Sequence, residues 1–175
     1  MDQVIFETAW GWMGLAASTR GIRAIVLPKA SRRAVEDALR KQPASLNGAL
    51  SVFSHLSPVL REAQTQLLAF IEGNRRDVNV PIDLSSGSPF QRRVWRTIAR
   101  IPYGRVRSYG WVAARVGGPH YARAVGHALG ANPIPIIVPC HRIVAHDGSL
   151  GGFSGGLPIK RKLLALEGSL AQLCS

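Results

Sequence analysis

Cysteine is nearly absent from this chain: among 175 residues only Cys140 and Cys174 occur. Two cysteines make no disulfide framework, and pairing them would silence both thiols. Residues 1–85 have none, which excludes a thiolate metal site there. No apolar run approaches the ~18 residues that a membrane span needs. Asp2 stands where a signal peptide would carry its basic stretch, so none is expected. A reducing compartment, cytoplasmic (nucleoid-associated) or nuclear, suits such cysteine usage. Acid is scarce as well, and unevenly so. Residues 1–85 hold ten basic and eight acidic side chains, whereas residues 86–175 hold twelve and two, or +10 of the net +12. That imbalance is the electrostatic footprint of a polyanion binder, with a solvated basic surface as the plainer alternative. Hydrophobic residues make up 46% of the chain, enough to bury a core in one ordinary domain or two small ones.

The first half carries structure but no chemistry. Val4–Thr8 and Gly14–Ser18 flank Ala9-Trp10-Gly11-Trp12 as a hairpin, and 22–27 reads as a third strand stopped by Pro28. Ser31 can cap a helix over 32–41. Residues 47–55 are ambiguous, and His55 is a lone histidine without ligand partners. Ser57-Pro58 opens a second helix that Gly73 can end, with Leu60, Leu67, Leu68 and Ile71 as its apolar stripe. The fold class expected is α+β. A small N-terminal sheet-plus-helix scaffold domain (1–80) is followed by a connector (81–87) and a C-terminal winged helix-turn-helix-like domain (88–175).

The second half opens at Ser88-Pro89 with Phe90, Val94, Trp95 and Ile98 at helical spacing. Ser108 can cap a short helix that ends at Gly117-Gly118, and a third helix runs from about His120 to Gly130. Residues 136–138 and 142–144 are expected as a strand pair, with a turn at Asp147-Gly148. The third helix is built largely from Ala122, Ala124, Gly126 and similar small residues around Arg123. Glycine inside a helix costs about 1 kcal/mol relative to alanine, so close backbone approach must compensate. Either tight helix–helix packing or insertion into a DNA minor groove would do this.

The most unusual stretch is Asn132-Pro-Ile-Pro-Ile-Ile-Val-Pro-Cys-His-Arg-Ile-Val144. Three prolines forbid a regular helix, so the run is expected to be mostly extended and to carry Cys140 into an apolar interior. A buried cysteine is usually a small hydrophobe. The adjacent His141 supplies what a nucleophilic thiol needs, a base. Neighbouring side chains on a strand point apart, so a kink at Pro139 or a bridging water is required for the two to cooperate.

Pro139-Cys140-His141-Arg142-Ile143-Val144 resembles the active-site signature of the O6-alkylguanine-DNA alkyltransferases, and the resemblance runs from about Pro89 to Gly168. It implies a repair protein that flips an O6-alkylguanine out of double-stranded DNA and moves the alkyl group irreversibly onto its own cysteine, without metal or cofactor. The roles that follow from it are residue-specific. Cys140 is the acceptor and His141 its base. Glu167, a lone acid at a helix end, holds the histidine. Tyr109 polarises the guanine and also meets DNA. Arg123 fills the vacated base stack, with Ala122, Ala124 and Gly126 along the minor groove. Asn132 pins the turn before the cysteine. Leu150-Gly-Gly-Phe-Ser-Gly-Gly156 resembles the family's loop over the purine, with Phe153, Ser154 and Gly155 as substrate contacts. Phe153 replaces a tyrosine of some relatives and so removes a hydroxyl. Some relatives hold a structural zinc in the first half, but this chain lacks the cysteines. The resemblance implies a monomer, with cooperative loading on DNA left open, and no membrane. Two rival readings stand beside this one. A non-catalytic lesion-binding relative would have replaced the cysteine. A cysteine hydrolase would place its cysteine at a helix N-terminus, with the histidine distant in sequence.

Overall fold

The computed structural model describes residues 2–42 and 57–173. The ambiguous stretch 47–55, His55 and Cys174 lie outside the described residues. The chain divides into two compact units, Met1–Ser86 and Gly87–Ser175.

In the first unit, β1 (Asp2–Thr8), β2 (Gly11–Ser18) and β3 (Gly21–Lys29) form an antiparallel sheet in the order β1-β2-β3. Pro28 does not stop the third strand as the sequence suggests. It lies inside β3, which is an edge strand, where a missing N–H breaks no ladder. Helix α1 (Arg32–Arg40) begins at Ser31, whose Oγ accepts from the Ala34 N–H at 3.2 Å. Its Val35 and Leu39 pack on Ala16, Ala24 and Val26 of the sheet. Gly14 makes this contact close: a Cβ there would stand 2.6 Å from a Val35 methyl. Helix α2 (Pro58–Ile71) contacts all three strands through an apolar face. Leu60, Leu67 and Ile71 are buried as their spacing predicts, but Ala63 and Phe70, not Leu68, complete the stripe. Mixed helix and sheet is thus the observed class.

The second unit opens with α3 (Pro89–Ile98). Its start is a capping box in which Ser88 and Gln91 satisfy each other's backbone N–H groups. Trp95 is buried, and its indole N–H donates 2.8 Å to the Ala128 carbonyl. Ser108 caps α4 (Tyr109–Val116) by accepting from the Trp111 N–H at 3.1 Å. The tight turn to the next helix needs Gly118, whose φ of +129° suits no side chain. A 3₁₀ turn over Pro119–Tyr121 precedes α5 (Ala122–Gly130), so the third helix starts later than His120. Helices α3, α4 and α5 pack on one another, which gives the helix-turn-helix.

The expected strand pair is different in kind. Residues 136–138 form no strand. The pair is instead β4 (Arg107–Ser108) running parallel to β5 (Ile143–Val144). The reason is local: the Val138 N–H bonds back to the Ile134 carbonyl at 2.9 Å, which curls the proline-rich run into a turn. Helix α6 (Leu157–Leu166) closes the unit with Leu163 and Leu164 buried and Leu166 half-buried. No helix among the described residues is long and apolar enough to cross a membrane.

Candidate active site and nucleic-acid face

Cys140 sits at the start of a 3₁₀ turn, Cys140–Arg142, directly after Pro139 at ψ +64°. The chain therefore does bend at Pro139 and does not continue as a strand. Asn132 fixes the approach. Its side-chain oxygen accepts from the Ile134 N–H at 3.1 Å, and its Nδ2 donates 2.8 Å to the Val138 carbonyl and 3.0 Å to Cys140 Sγ. Inside this turn Ile136 takes φ +76°, a conformation that a β-branched residue adopts only under constraint. Strain of this type costs on the order of 1–3 kcal/mol.

Behind the thiol lies a buried polar network. His141 is fully buried, and its Nε2 lies 2.9 Å from Glu167 Oε1. A carboxylate accepts, so Nε2 carries the proton and Nδ1 is left as an acceptor. Among the described residues Nδ1 has no hydrogen-bond partner, and the bend at Pro139 brings no direct thiol–imidazole bond. Glu167 also accepts from Arg142, through Nη2 at 2.7 Å and Nε at 2.9 Å, and from the Gly104 N–H at 3.1 Å. Arg142 Nη1 donates 2.6 Å to the Ile101 carbonyl. Glu167 is the C-cap of α6, where a lone carboxylate would oppose the helix dipole, and the two neighbouring cationic or polarisable groups explain its placement.

Burial pushes the Cys140 thiol up to about 11, against the opposing effects of Asn132 and Lys160. Burial holds His141 below its ordinary value, although Glu167 pulls the other way. At neutral pH the resting pair is thus a thiol beside a neutral imidazole. Burial alone would raise the Glu167 carboxyl, but the bonds from His141 and Arg142 outweigh it and hold it at about 2. Tyr109 is raised above its ordinary value, chiefly by burial.

Lys160 is fully buried, and its ammonium donates to the carbonyls of Ile143, Leu150 and Gly152. It ties the glycine-rich loop to the segment that follows the cysteine. Burial lowers it to about 8, with Cys140 acting in the opposite direction. The sequence singles out neither Lys160 nor a role for Arg142. Lys160 stands in Lys-Arg-Lys, which looks like a solvent face. The available signal was its position three and four residues before Leu163 and Leu164, on the core side of α6.

A cavity of about 320 Å³ opens onto the thiol, lined by Tyr109, Gly126, Leu129, Gly130, Cys140, Gly152, Phe153 and Ser154. The Tyr109 hydroxyl lies 3.3 Å from the Gly152 carbonyl across it. An open groove beside it is lined by Tyr109, Ala122, Arg123, Gly126, His127, Gly130 and Ala131. Cys140, Tyr109, Phe153, Ser154, Ala122, Arg123 and Gly126 are therefore gathered at one place. His141, Glu167 and Asn132 stand behind them. Gly155 and Ala124 line neither space. The glycines of α5 do not serve helix packing: a Cβ at Gly126 would meet only Tyr109 at 3.9 Å, and one at Gly130 would meet nothing within 4 Å. Among the described residues no cluster of three or more His, Cys, Asp or Glu side chains is placed to hold a metal.

Residues 89–169 match the family model of the 6-O-methylguanine DNA methyltransferase DNA-binding domain. A methylated-DNA–protein-cysteine methyltransferase of Mycolicibacterium paratuberculosis is 52% identical over 105 residues, covering 60% of this chain and 63% of that protein. The alignment thus spans somewhat less than two thirds of that relative. One of Methanosarcina acetivorans is 47% identical over 109 residues, covering 62% of this chain and 69% of its own length. Among solved structures, the Mycobacterium tuberculosis OGT in complex with DNA superposes with a TM-score of 0.75 at 34% identity, covering 97% of this chain and 94% of that one.

Proposed function

This chain belongs to the 6-O-methylguanine DNA methyltransferase family, and from that premise we propose that it repairs O6-alkylguanine in double-stranded DNA by irreversible alkyl transfer to Cys140. The observation that carries the reading is a single thiol at the floor of a cavity, with a neutral histidine and its carboxylate behind it.

A guanine within a duplex hides its O6, so the nucleotide must leave the stack before it can enter the cavity. Arg123, exposed on α5, is suited to occupy the gap. The small residues of α5 leave room for the narrow minor groove, which explains why Gly126 and Gly130 carry the cost of glycine without a packing partner. Phe153 covers the base, and Ser154 reaches its O6 side.

The thiol proton passes to His141 Nδ1 through a water, and Glu167 steadies the imidazolium that forms. The sulfur attacks the alkyl carbon as the carbon–O6 bond breaks. Tyr109 donates toward the ring of the departing guanine, where negative charge builds. The proton lost by sulfur ends on guanine, and the product is a neutral thioether. Nothing in the network hydrolyses a thioether, so each molecule acts once. Every group named comes from one chain, so a monomer suffices. A thiol that must stay reduced to act suits a cytoplasmic or nuclear setting.

Cys140→Ser tests the proposal directly. It is expected to bind alkylated duplex DNA and to leave the lesion in place. Lesion loss at the wild-type rate would overturn the assignment.

A further inference from the structure

The positive charge of the second unit includes one part organised around an aromatic ring. Trp111 lies half-buried on α4, off the stripe formed by the buried Val112, Ala113 and Val116. The Arg115 guanidinium sits 3.7 Å from the indole centroid, and that of Arg107 5.4 Å. Each arginine is also tied to backbone: Arg115 Nη1 donates 3.3 Å to the Trp111 carbonyl, and Arg107 Nη1 donates 2.9 Å to the Val106 carbonyl. Both arginines are exposed.

No carboxylate pairs with either arginine among the described residues. The unit has only two acids. Of these, Glu167 is committed to His141 and Arg142, and Asp147 accepts from the Ser149 N–H. Two guanidiniums are thus gathered on one ring with no anion to offset their repulsion. Contact with the indole restrains the two guanidiniums, and among the described residues most of their N–H donors make no bond, which lowers the ordering cost of binding a phosphate. Position supplies the partner. Arg107 is two residues from Tyr109, which lines both the thiol cavity and the groove of α5. In a helix-turn-helix the helix before the inserted one crosses the sugar–phosphate backbone.

We propose that Arg107 and Arg115, splinted by Trp111, form a clamp for two backbone phosphates of duplex DNA beside the cavity. This rests on the reading that the chain acts on duplex DNA. It adds a site that neither the cysteine motif nor α5 contains, and one that grips without reading sequence.

The test is the salt dependence of binding to an O6-methylguanine duplex. Each phosphate contact contributes about 0.9 to the slope of log affinity against log salt. Arg107→Gln/Arg115→Gln should therefore flatten the slope by about 1.8, so that between roughly 50 and 200 mM salt the wild type loses about tenfold more affinity than the variant. Arg33→Gln/Arg40→Gln on α1 removes the same charge and should leave the slope unchanged. Trp111→Leu keeps both charges and should weaken binding several-fold at constant slope. Transfer from a free O6-alkylated guanine base needs no phosphate, and should proceed at the wild-type rate in the Arg107/Arg115 variant, reporting an intact fold and cavity. Equal slopes in wild type and that variant, or equal flattening in the α1 control, would overturn the clamp. Wild-type affinity in Trp111→Leu would overturn the splint. Failure of the wild type itself to accept alkyl from free base and duplex alike would instead overturn the proposed function.

Discussion

The two units of this protein bury polar groups to very different degrees. Among the described residues of 1–86 the interior is largely apolar, and the buried polar exceptions, Gln66 and Asp83, make bonds that join chain segments. Asp83, for example, accepts from Ser18 and the Ser85 N–H and sits at about 2, burial being outweighed by those bonds. In residues 87–175 the interior holds Asn132, His141, Arg142, Lys160, Glu167 and Ser169; Asn132 bonds the Cys140 thiol, and His141 and Arg142 follow it in the same turn and share Glu167. A fold seeking stability alone gains little from buried ion pairs, because desolvation offsets most of the Coulombic attraction. Their grouping in and behind the Cys140 turn marks the candidate site without reference to any motif.

Breaking the Glu167 node gives the largest expected effect. Glu167→Gln leaves Arg142 buried without its anion, and a loss of about 3–5 kcal/mol of stability is expected, together with slower transfer. Adding Arg142→Met should recover much of the stability but not the rate, which denaturant titration and single-turnover kinetics would separate. Stability recovered together with rate would show the carboxylate to be purely structural. Acid sharpens the same comparison. Glu167 and Asp83 are both held below their ordinary values of 4.5 and 3.8, so their stabilisation is complete above those values and is lost as pH falls toward about 2. Asp83→Asn should flatten the acid limb for the first unit alone, whereas Glu167→Gln should do so for the second. Unit-specific probes that respond identically to both variants would contradict this.

Lys160→Met comes next. It strips a shared donor from three carbonyls, at about 1–3 kcal/mol for the unsatisfied groups, and should free the 150–152 loop. Faster amide exchange in that loop and slower transfer are expected, while the first unit stays unchanged. Unaltered loop exchange would contradict the tether.

Substitutions on α5 are the mildest and invert the usual relation between stability and function. Gly130→Ala should stabilise the second unit by about 0.5–1 kcal/mol, since helix propensity improves and the methyl meets nothing. It should also weaken duplex binding. Arg123→Ala should slow repair in duplex DNA more than reaction with a free O6-alkylated base. Stronger duplex binding by the alanine at 130, or equal losses for the Arg123 variant, would remove α5 from the interface.

Helix starts were the most legible feature, because Ser31, Ser88 and Ser108 all cap where their spacing indicates. Alternation and turn residues likewise exposed the β1–β2 hairpin. The proline-rich run is legible only in part: composition says that it is not a helix, but only the bonds of Asn132 reveal the tight turn over 134–138. β4 and β5 are two residues each, too short for any period to register. Within the site, the cysteine and histidine were visible through their motif and Glu167 through its oddity as an acid at a helix end. Arg142 and Lys160 were missed because a basic side chain in a basic half carries no contrast until its burial is seen.

The central claim is that one sulfur takes one alkyl group, and the mass of the Cys140 peptide after exposure to excess O6-methylguanine duplex tests it most directly. The account expects that peptide to carry one methyl in place of one hydrogen, with no more lesions removed than there are protein molecules. An unmodified Cys140 peptide alongside disappearance of the lesion would contradict it.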